Sequence, residues 1–593
     1  VMAAYTGHVY VDKNKNGVFD QSEKPLAGIK VSDGLNVVET AADGSFTLPG
    51  HERERFIFIT TPSGYKTFNR HYHKIEKKQS GYDFGLIPYS GRIRKNGSHR
   101  YIHIADTEIF NTENHADWVN NVRDYARNEQ AAFIIHTGDI CYEKGLKAHI
   151  KLMNTENMDC PVFYCIGNHD LVKGKYGEEL FESIYGPVYY SFDAGNVHYV
   201  VTPMPGGDHA PGYTSDDVCR WLKNDLAHIR PGTPVVVFNH DLLTYEDTFI
   251  FKSKNAGSIN LNEYNLKAWV YGHWHINYMK KQGDVYSVCT SSLDKGGIDH
   301  STTAFRVMHV DSKGDFTSEL RYTYLDKNIC IASPAGVMAS GVLPVAVNVY
   351  SSVSPVREVL YTCLADGKPV LKNKRLLQST DWSWNGELPL SHKYVGKELT
   401  LRVTARFNNG EIAEAESHFI CRTEKAVPLF SADWDNLSGN AKHSAPVSAP
   451  LNLPLQLAWT NNVGANLYMT SPLIHKGKVI VASVDEDLKG VGHVYALNGK
   501  DGTILWSCPV RNSIKNSIAV DSDIVFAQDA QGFLYAIDTE TGKLCWEKQL
   551  PVNGLPALID GLVAGEGVVY AGTGKGLCAF EARTGKQLWK NEG

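Results

Sequence analysis

Between residues 97 and 327 the apolar runs are short, and each stops at polar residues drawn from a narrow set. Phe163-Tyr-Cys-Ile ends at Gly167, and Asn168, His169 and Asp170 follow at once. Tyr101–Ala105 ends in Asp106, and Phe133–Ile135 leads through His136-Thr137-Gly138 to Asp139. Val235–Phe238 runs into Asn239-His240, and Trp269–Tyr271 into Gly272-His273-Trp274-His275. Unbroken apolar runs of this length predict buried parallel strands, and open α/β folds keep their sites at the C-terminal ends of such strands. Two stretches carry the helical period instead. Thr112–Glu129 puts Trp118, Val119, Val122, Tyr125 and Ala126 on one face. The helix opened by Ser215-Asp216-Asp217 turns Val218, Trp221, Leu222, Leu226 and Ile229 inward. Helix-then-strand units of this length predict mainly parallel pairing.

The flanks alternate with the period of strands. Residues 1–90 predict a small β domain, with Tyr5–Val11, Ile29–Val31, Ser45–Leu48 and Phe56–Thr60 as strands and turns at Asp33-Gly34 and Asp43-Gly44. Its first turn, Asp12 to Glu23, fits the calcium-loop pattern D-x-N-x-N-G-x5-E, with Asp12, Asn14, Asn16, the Val18 carbonyl and Glu23 as ligands. The flanks are strands and not helices, so the loop either holds calcium or is a solvated Asn/Gly turn. Residues 330–424 predict an antiparallel sandwich with strands at Val342–Val349, Val359–Cys363, Thr400–Val403 and Glu416–Ile420. Residues 425–452, rich in Ser, Ala, Pro and Asn, predict a linker.

From 453 to 593 a unit repeats. Ala496-Leu-Asn498…Asp501-Gly502…Trp506 recurs as Ala536-Ile-Asp538…Thr541-Gly542…Trp546 and as Ala579-Phe-Glu581…Thr584-Gly585…Trp589, and Trp459 is a fainter forerunner. A hairpin with a Gly turn and a closing Trp predicts a propeller blade, and rings of such blades have four to eight. Three units do not close such a ring, so either further blades follow or these pack otherwise.

Composition narrows the function. Apolar residues make up 43% and charged residues 21%, as in soluble globular domains. The net charge of −6 with scattered Lys and Arg disfavours nucleic acid as the main partner. No apolar run reaches membrane-spanning length, and the chain opens on Val1-Met2-Ala3-Ala4, so any export signal is expected to have been removed or never present. The 11 Cys show no metal-finger spacing. Cys363 and Cys421, on either side of Trp382 and Trp384, are either a bridge across the sandwich or buried free thiols.

Carboxylates, amides and imidazoles at successive strand ends are the donor set of a two-metal hydrolytic centre. In order, Asp106, Gly138-Asp139, Gly167-Asn168-His169-Asp170, Asn239-His240 and Gly272-His273-Trp274-His275 resemble the calcineurin-like metallophosphoesterase superfamily over about 230 residues. The first domain resembles the Cna-B-type and SdrD-type β modules of bacterial surface proteins, which implies a spacer or platform. The repeats resemble the pyrroloquinoline-quinone-type propeller. With so few blades they are expected to be scaffold, or a surface for another protein or a glycan, without a quinone. The fold class expected is multidomain: an α/β metallophosphoesterase sandwich flanked by all-β domains and ending in partial propeller blades.

The resemblance implies that Asp106 and His275 serve a first metal and that Asn168, His240 and His273 serve a second. Asp139 bridges the two, and a hydroxide between the cations attacks phosphorus. The metals expected are manganese, iron or zinc, with magnesium possible. His169 follows a ligand directly and is expected to protonate the leaving oxygen, with Asp170 holding its ring. The family's first motif, Asp-x-His, reads Asp106-Thr107-Glu108 here. Either Glu108 fills the vacancy, or Tyr142 does, in the G-D-x-x-Y spacing that resembles purple acid phosphatases. Glu108 is favoured on strand alternation, and either oxygen ligand makes the site harder, toward iron, manganese or magnesium over zinc. His209 in Gly206-Gly-Asp208-His209 and His300 in Gly296-Gly-Ile-Asp299-His300 are candidate substrate contacts on Gly-rich loops. The function expected is hydrolysis of a phosphomonoester or diester outside the cytoplasm, in the periplasm or at the surface of a bacterium. The rival is a surface adhesion protein with a degenerate catalytic domain.

Overall fold

The computed structural model describes residues 4–79, 81–423, 432–444, 453, 455–467, 470–485, 489–552, 556 and 561–592. The chain forms two compact units, Val1–Tyr324 and Leu325–Gly593.

The first unit begins with two four-stranded sheets. Tyr5–Val11 pairs antiparallel with Ser45–Leu48 and parallel with Phe84–Pro88, and Val9, Val31, Leu48, Ile57, Ile59 and Leu86 fill the space between the sheets. The α/β domain follows, and its strands divide between two sheets. One has the order Val162–Tyr164, Phe133–His136, His99–Ile104, Ala304–Val310, Phe316–Tyr322. The other has the order Tyr190–Ala194, Val197–Val201, Val235–Phe238, Leu266–Tyr271, Val285–Cys289, Tyr278–Gln282. The five runs that end in polar residues are thus three parallel strands of one sheet and two of the other. Aromatic rings from both sheets interleave to make the core. Phe163 stacks on Phe192 at 3.8 Å, Phe133 meets Tyr199 at 4.9 Å, and Tyr101 meets Phe238 at 5.7 Å between centroids.

The helix Ala116–Asn128 buries Trp118, Val119, Val122, Tyr125 and Ala126, the face the periodicity predicts. Thr214 and Asp217 form a reciprocal capping box that starts the helix Ser215–Leu226, leaving Ile229 beyond its end. Helices Tyr142–Leu152 and Glu179–Tyr185 were not expected from the pattern.

A buried polar relay joins the first domain to this core. The Thr60 and Ser191 hydroxyls lie 2.8 Å apart, and Ser191 donates to Asp225 at 2.7 Å. His198, 1% exposed, sits between Asp225 at 2.7 Å and Asp193 at 2.6 Å. Burial pulls its pKa down, but the two carboxylates outweigh burial and raise it to about 10.

In the second unit, Asn328–Arg422 is a sandwich of a four-stranded and a five-stranded sheet. Pairing is antiparallel except where Gly336–Ala339 lies parallel to Ile412–Arg422. Cys363 and Cys421 are free thiols in its core. Three four-stranded antiparallel sheets follow, one per repeat. Three tryptophans reach the turn of the following unit: Trp459 donates to the Gly499 carbonyl, Trp506 to Thr539 and Trp546 to Ala582, at 2.8–2.9 Å. The expected linker is only partly within the described residues, and Trp434 in it exchanges backbone hydrogen bonds with Ile474 of the first of these sheets.

The His198 site carries a stability prediction. A folded pKa of about 10 against about 6.5 unfolded means that the stabilisation is complete below pH 6.5 and declines as pH rises toward 10. His198→Gln, which leaves the carboxylates unpaired, should cost about 3–5 kcal/mol at neutral pH. In denaturant melts, the gap to the parent protein should narrow steadily from pH 6.5 to pH 10.

Candidate metal centre

Strand ends from both sheets converge on one junction. Asp106 follows His99–Ile104, Asp139 follows Phe133–His136, and Asn168 opens the turn after Val162–Tyr164. His240 follows Val235–Phe238, and His273 and His275 follow Leu266–Tyr271. Their donor atoms form groups, each within 4.8 Å: Asp139 with His240 and His273, and Asp106 with Glu108 and His275. A third group brings Glu108, Asp139 and Cys141 together, so Asp139 and Glu108 stand between the two sets.

Two features pack the donors this closely. Glycines leave room for the neighbouring ligand: a Cβ on Gly167 would lie 2.2 Å from Asp139 Oδ1, and one on Gly272 would lie 2.8 Å from Asp106 Oδ2. The backbone is also forced. Asp106, Glu108, Asp139, Cys141, Tyr142, His273 and His275 all have φ between +45° and +77°, a region that costs non-glycine residues energy and that clusters at functional sites.

Hydrogen bonds aim the ligands. His240 Nδ1 lies 2.8 Å from the Thr137 carbonyl, which accepts its proton and leaves Nε2 facing Asp139 at 3.1 Å. The backbone N–H of His273 donates to Asp106 Oδ2 and that of His169 to Asp139 Oδ1. Beneath them His136, fully buried and held neutral by burial, accepts from Gly138 N–H and contacts the Thr107 hydroxyl at 2.9 Å.

The charges are unbalanced without a cation. Burial raises the Asp106 pKa to about 7 despite His240 and His275 nearby. Burial lowers His240, but Asp139 and Asp106 outweigh it and raise it to about 10. Burial also opposes the Asp139 carboxylate, and His240 holds it ionised. Asp106 Oδ1 and Asn168 Oδ1 are buried with no hydrogen-bond partner. Buried oxygens in that condition are costly unless a cation takes them. The donors therefore suit metal: Asp106, Glu108 and His275 form one group that could hold a cation, and Asp139, His240 and His273 another, with the Asn168 oxygen a further buried donor.

Residues 99–277 match the family model described as Calcineurin-like phosphoesterase. Residues 13–88 match the model described as N terminal of Calcineurin-like phosphoesterase. Residues 13–277 are a calcineurin-like phosphoesterase module. The repeats, residues 456–593, match the model described as Outer membrane protein assembly factor BamB. Purple acid phosphatase 13 of Arabidopsis thaliana is 26% identical over 215 residues, 34% of this chain and 36% of that protein. Quinoprotein alcohol dehydrogenase PedE of Pseudomonas putida is 48% identical over 64 residues, 10% of each chain. The chain thus spans about a third or less of the length of these curated relatives. Among solved structures, BamB from Moraxella catarrhalis aligns at 17% identity and a TM-score of 0.19, over 23% of this chain and 40% of that one. At that score the likeness carries no functional weight.

Around the phosphoesterase centre the structure corrects one assignment. Asp170 does not hold the His169 ring. Its buried carboxylate accepts the backbone N–H groups of Asp139, Cys141 and Gly167 at 2.8–2.9 Å and so braces the turns that carry the ligands. Asp208 holds the ring instead, with Oδ2 2.8 Å from His169 Nδ1. Burial lowers the His169 pKa, but the Asp208 hydrogen bond and the charges of Asp139, Asp208 and Glu108 together outweigh it, and the net shift is upward. The Gly206-Gly pair before Asp208 marked a loop, but nothing in the sequence marked its target.

Glu108 lies 3.4 Å from His275 Nε2. It reaches there through a left-handed turn beyond the strand end, so strand alternation is not the reason. Tyr142 is 46% exposed and sets its ring 5.3 Å from that of His169. Cys141, which sequence reasoning did not single out, is pushed up by burial and by Asp139 and stays a neutral thiol. His209 and His300 are both exposed. His209 shares the Asp208 loop, while His300 lies in the loop where Ile298 N–H donates to the His275 carbonyl.

At the N-terminal loop, Asp12 accepts the N–H groups of Asn16 and Gly17, and Glu23 those of Lys13 and Asp20. Asn14 and Asn16 turn their amides to Asp20, and Val18 is exposed.

The two aspartates near His169 separate by measurement. Asp208→Ala should keep metal content and lower turnover by about 10-fold or more, as loss of a partner to an acid–base group does. Asp170→Ala should lower metal content and thermal stability together, because three backbone donors lose their acceptor.

Proposed function

We propose that the chain hydrolyses a phosphomonoester or phosphodiester at a two-metal centre, and that it does so outside the cytoplasm. The observation that carries the reading is the pair of buried oxygens without a hydrogen-bond partner, Asp106 Oδ1 and Asn168 Oδ1, amid seven clustered donor side chains. The match of residues 99–277 and the similarity to a purple acid phosphatase support the same chemistry. Glu108 is taken as the first-site ligand in place of Tyr142, because its carboxylate already lies against His275. When bound, such cations supply Lewis acidity toward phosphoryl oxygens and acidify water.

The residues of the chain do the rest. Asp139 and Asp106 provide negative charge where cations sit, and Asp170 fixes the turns that present Asp139. His169 is engaged at Nδ1 by Asp208, so its Nε2 is the atom that gives a proton to the leaving oxygen. The repeats are read as a scaffold or as a surface for a protein or glycan partner, without a quinone. The Asp12–Glu23 loop is read as a calcium site that stiffens the first domain.

Metal analysis should find two transition-metal ions per chain, with chelation abolishing hydrolysis of nitrophenyl phosphate or its bis ester. Asp139→Asn should lose both metal and activity. Glu108→Ala should empty one site, whereas Tyr142→Phe should retain both ions. A metal-replete protein inert toward every phosphoester would overturn the reading, and fractionation of cells expressing the complete reading frame tests the location.

The calcium assignment has its own test. Calcium should raise the melting temperature of the first domain, and Glu23→Ala should abolish that rise without changing the chelated protein. Identical melts with calcium and with chelator would remove it.

A further inference from the structure

A chain of contacts runs from the first β domain to His169. Arg53 donates through Nε to the Gly212 carbonyl at 2.8 Å. Arg55 pairs with Glu178 at 2.7 Å and with Glu182 at 2.8 Å. Glu178, fully buried, accepts the Gly212 N–H on both carboxylate oxygens, at 3.0 and 2.8 Å. Both faces of the Gly212 backbone are therefore held by the two arginines and the buried glutamate they pair with. Gly212 lies in the loop between Val197–Val201 and Ser215–Leu226, which also carries Asp208. Along it the Ala210 carbonyl accepts from Gly177 N–H at 2.8 Å, and Asp208 N–H donates to the Asn168 carbonyl at 3.0 Å. Asp208 then holds His169 at 2.8 Å.

The loop has no helix or strand of its own, and Asp208, His209 and Ala210 are exposed. A segment of that kind is ordered by its anchors, and its opening free energy falls when one is lost. One anchor is the ligand turn itself, at Asn168. Another, through Gly212, belongs to the first domain, whose resemblance implied a spacer or platform. A displacement of about 1 Å in such a support costs catalysis heavily while leaving the metal ligands in place.

We propose that Arg53 and Arg55 of the first domain are positioning residues for the leaving-group acid, acting through Glu178, Gly212 and Asp208 on His169. The first domain is thereby part of the active site's support. This rests on the phosphoesterase reading above.

Arg53→Gln is the variant to read first, since Arg55 still satisfies Glu178 and Glu182 and the buried ion pair survives. Arg55→Gln follows. Each should keep two metals per chain. Each should lower turnover of an alkyl phosphate by about 10-fold while changing that of nitrophenyl phosphate less than about threefold, because only the poor leaving group needs the acid. In an Asp208→Ala background the same substitutions should have little further effect, the signature of a shared path. Hydrogen exchange at the Asp208 and Gly212 amides should quicken in both arginine variants, and this readout remains if Arg55→Gln proves too unstable to assay. Equal losses on both esters, additivity with Asp208→Ala, or unchanged exchange at both amides would overturn the proposal. Failure of the parent protein to cleave any phosphoester would instead sink the functional reading, and exchange would still report whether the arginines hold the loop.

Discussion

Two carboxylates, Asp106 and Asp139, are buried beside each other at the junction of two sheets, and most of the surrounding architecture answers that repulsion. Both are shut off from solvent, so the fold supplies imidazoles and a backbone N–H for each acid. The raised pKa values of Asp106, from burial, and of His240, from the two carboxylates beside it, express the same imbalance. Apolar replacements would pack more stably, which is why such a cluster reads as chemistry and not as scaffold.

Holding that cluster costs backbone strain. Seven non-glycine residues at the site lie in the left-handed region, and the surrounding sheets overdetermine them. The rigid part is the interleaved aromatic core between the sheets, where Phe163, Phe192, Phe133 and Tyr199 lock the strands in register. Strain is tolerated at the strand ends because the strands themselves cannot move. Asp170 belongs to this support, since its three backbone hydrogen bonds tie the second and third ligand turns together.

Within the first unit, the centre is tied to its neighbouring domain. The first β domain shares a polar relay with the catalytic core at Thr60, Ser191, Asp225 and His198, and an ionic one at Arg53, Arg55 and Glu178. It folds with the enzyme as one compact unit. In the other unit, the repeats are held by a local rule. The indoles of Trp459, Trp506 and Trp546 dock on the glycine turns at Gly502, Gly542 and Gly585 of the following unit, so neighbouring repeats stabilise one another, and the period of the sequence is the period of that contact.

The sequence by itself determined what depends on local order along the chain. Each strand's apolar run and the polar residues after it are contiguous, so Asp106, Asp139, Asn168, His240, His273 and His275 could be read directly, as could the helix face of Trp118 and Val122. The Trp–Gly repeat was legible because its partners recur at fixed spacing. Tertiary structure decided what depends on residues far apart. It divided the five strands between two sheets, because pairing partners leave no mark on either strand alone. It gave Asp208 to His169 across 39 residues, where adjacency had pointed to Asp170. It brought Glu108 to His275 by a left-handed turn that propensity opposes. An acid can neutralise whichever charge the fold brings within hydrogen-bond reach, and that distance is set by packing and not by sequence separation.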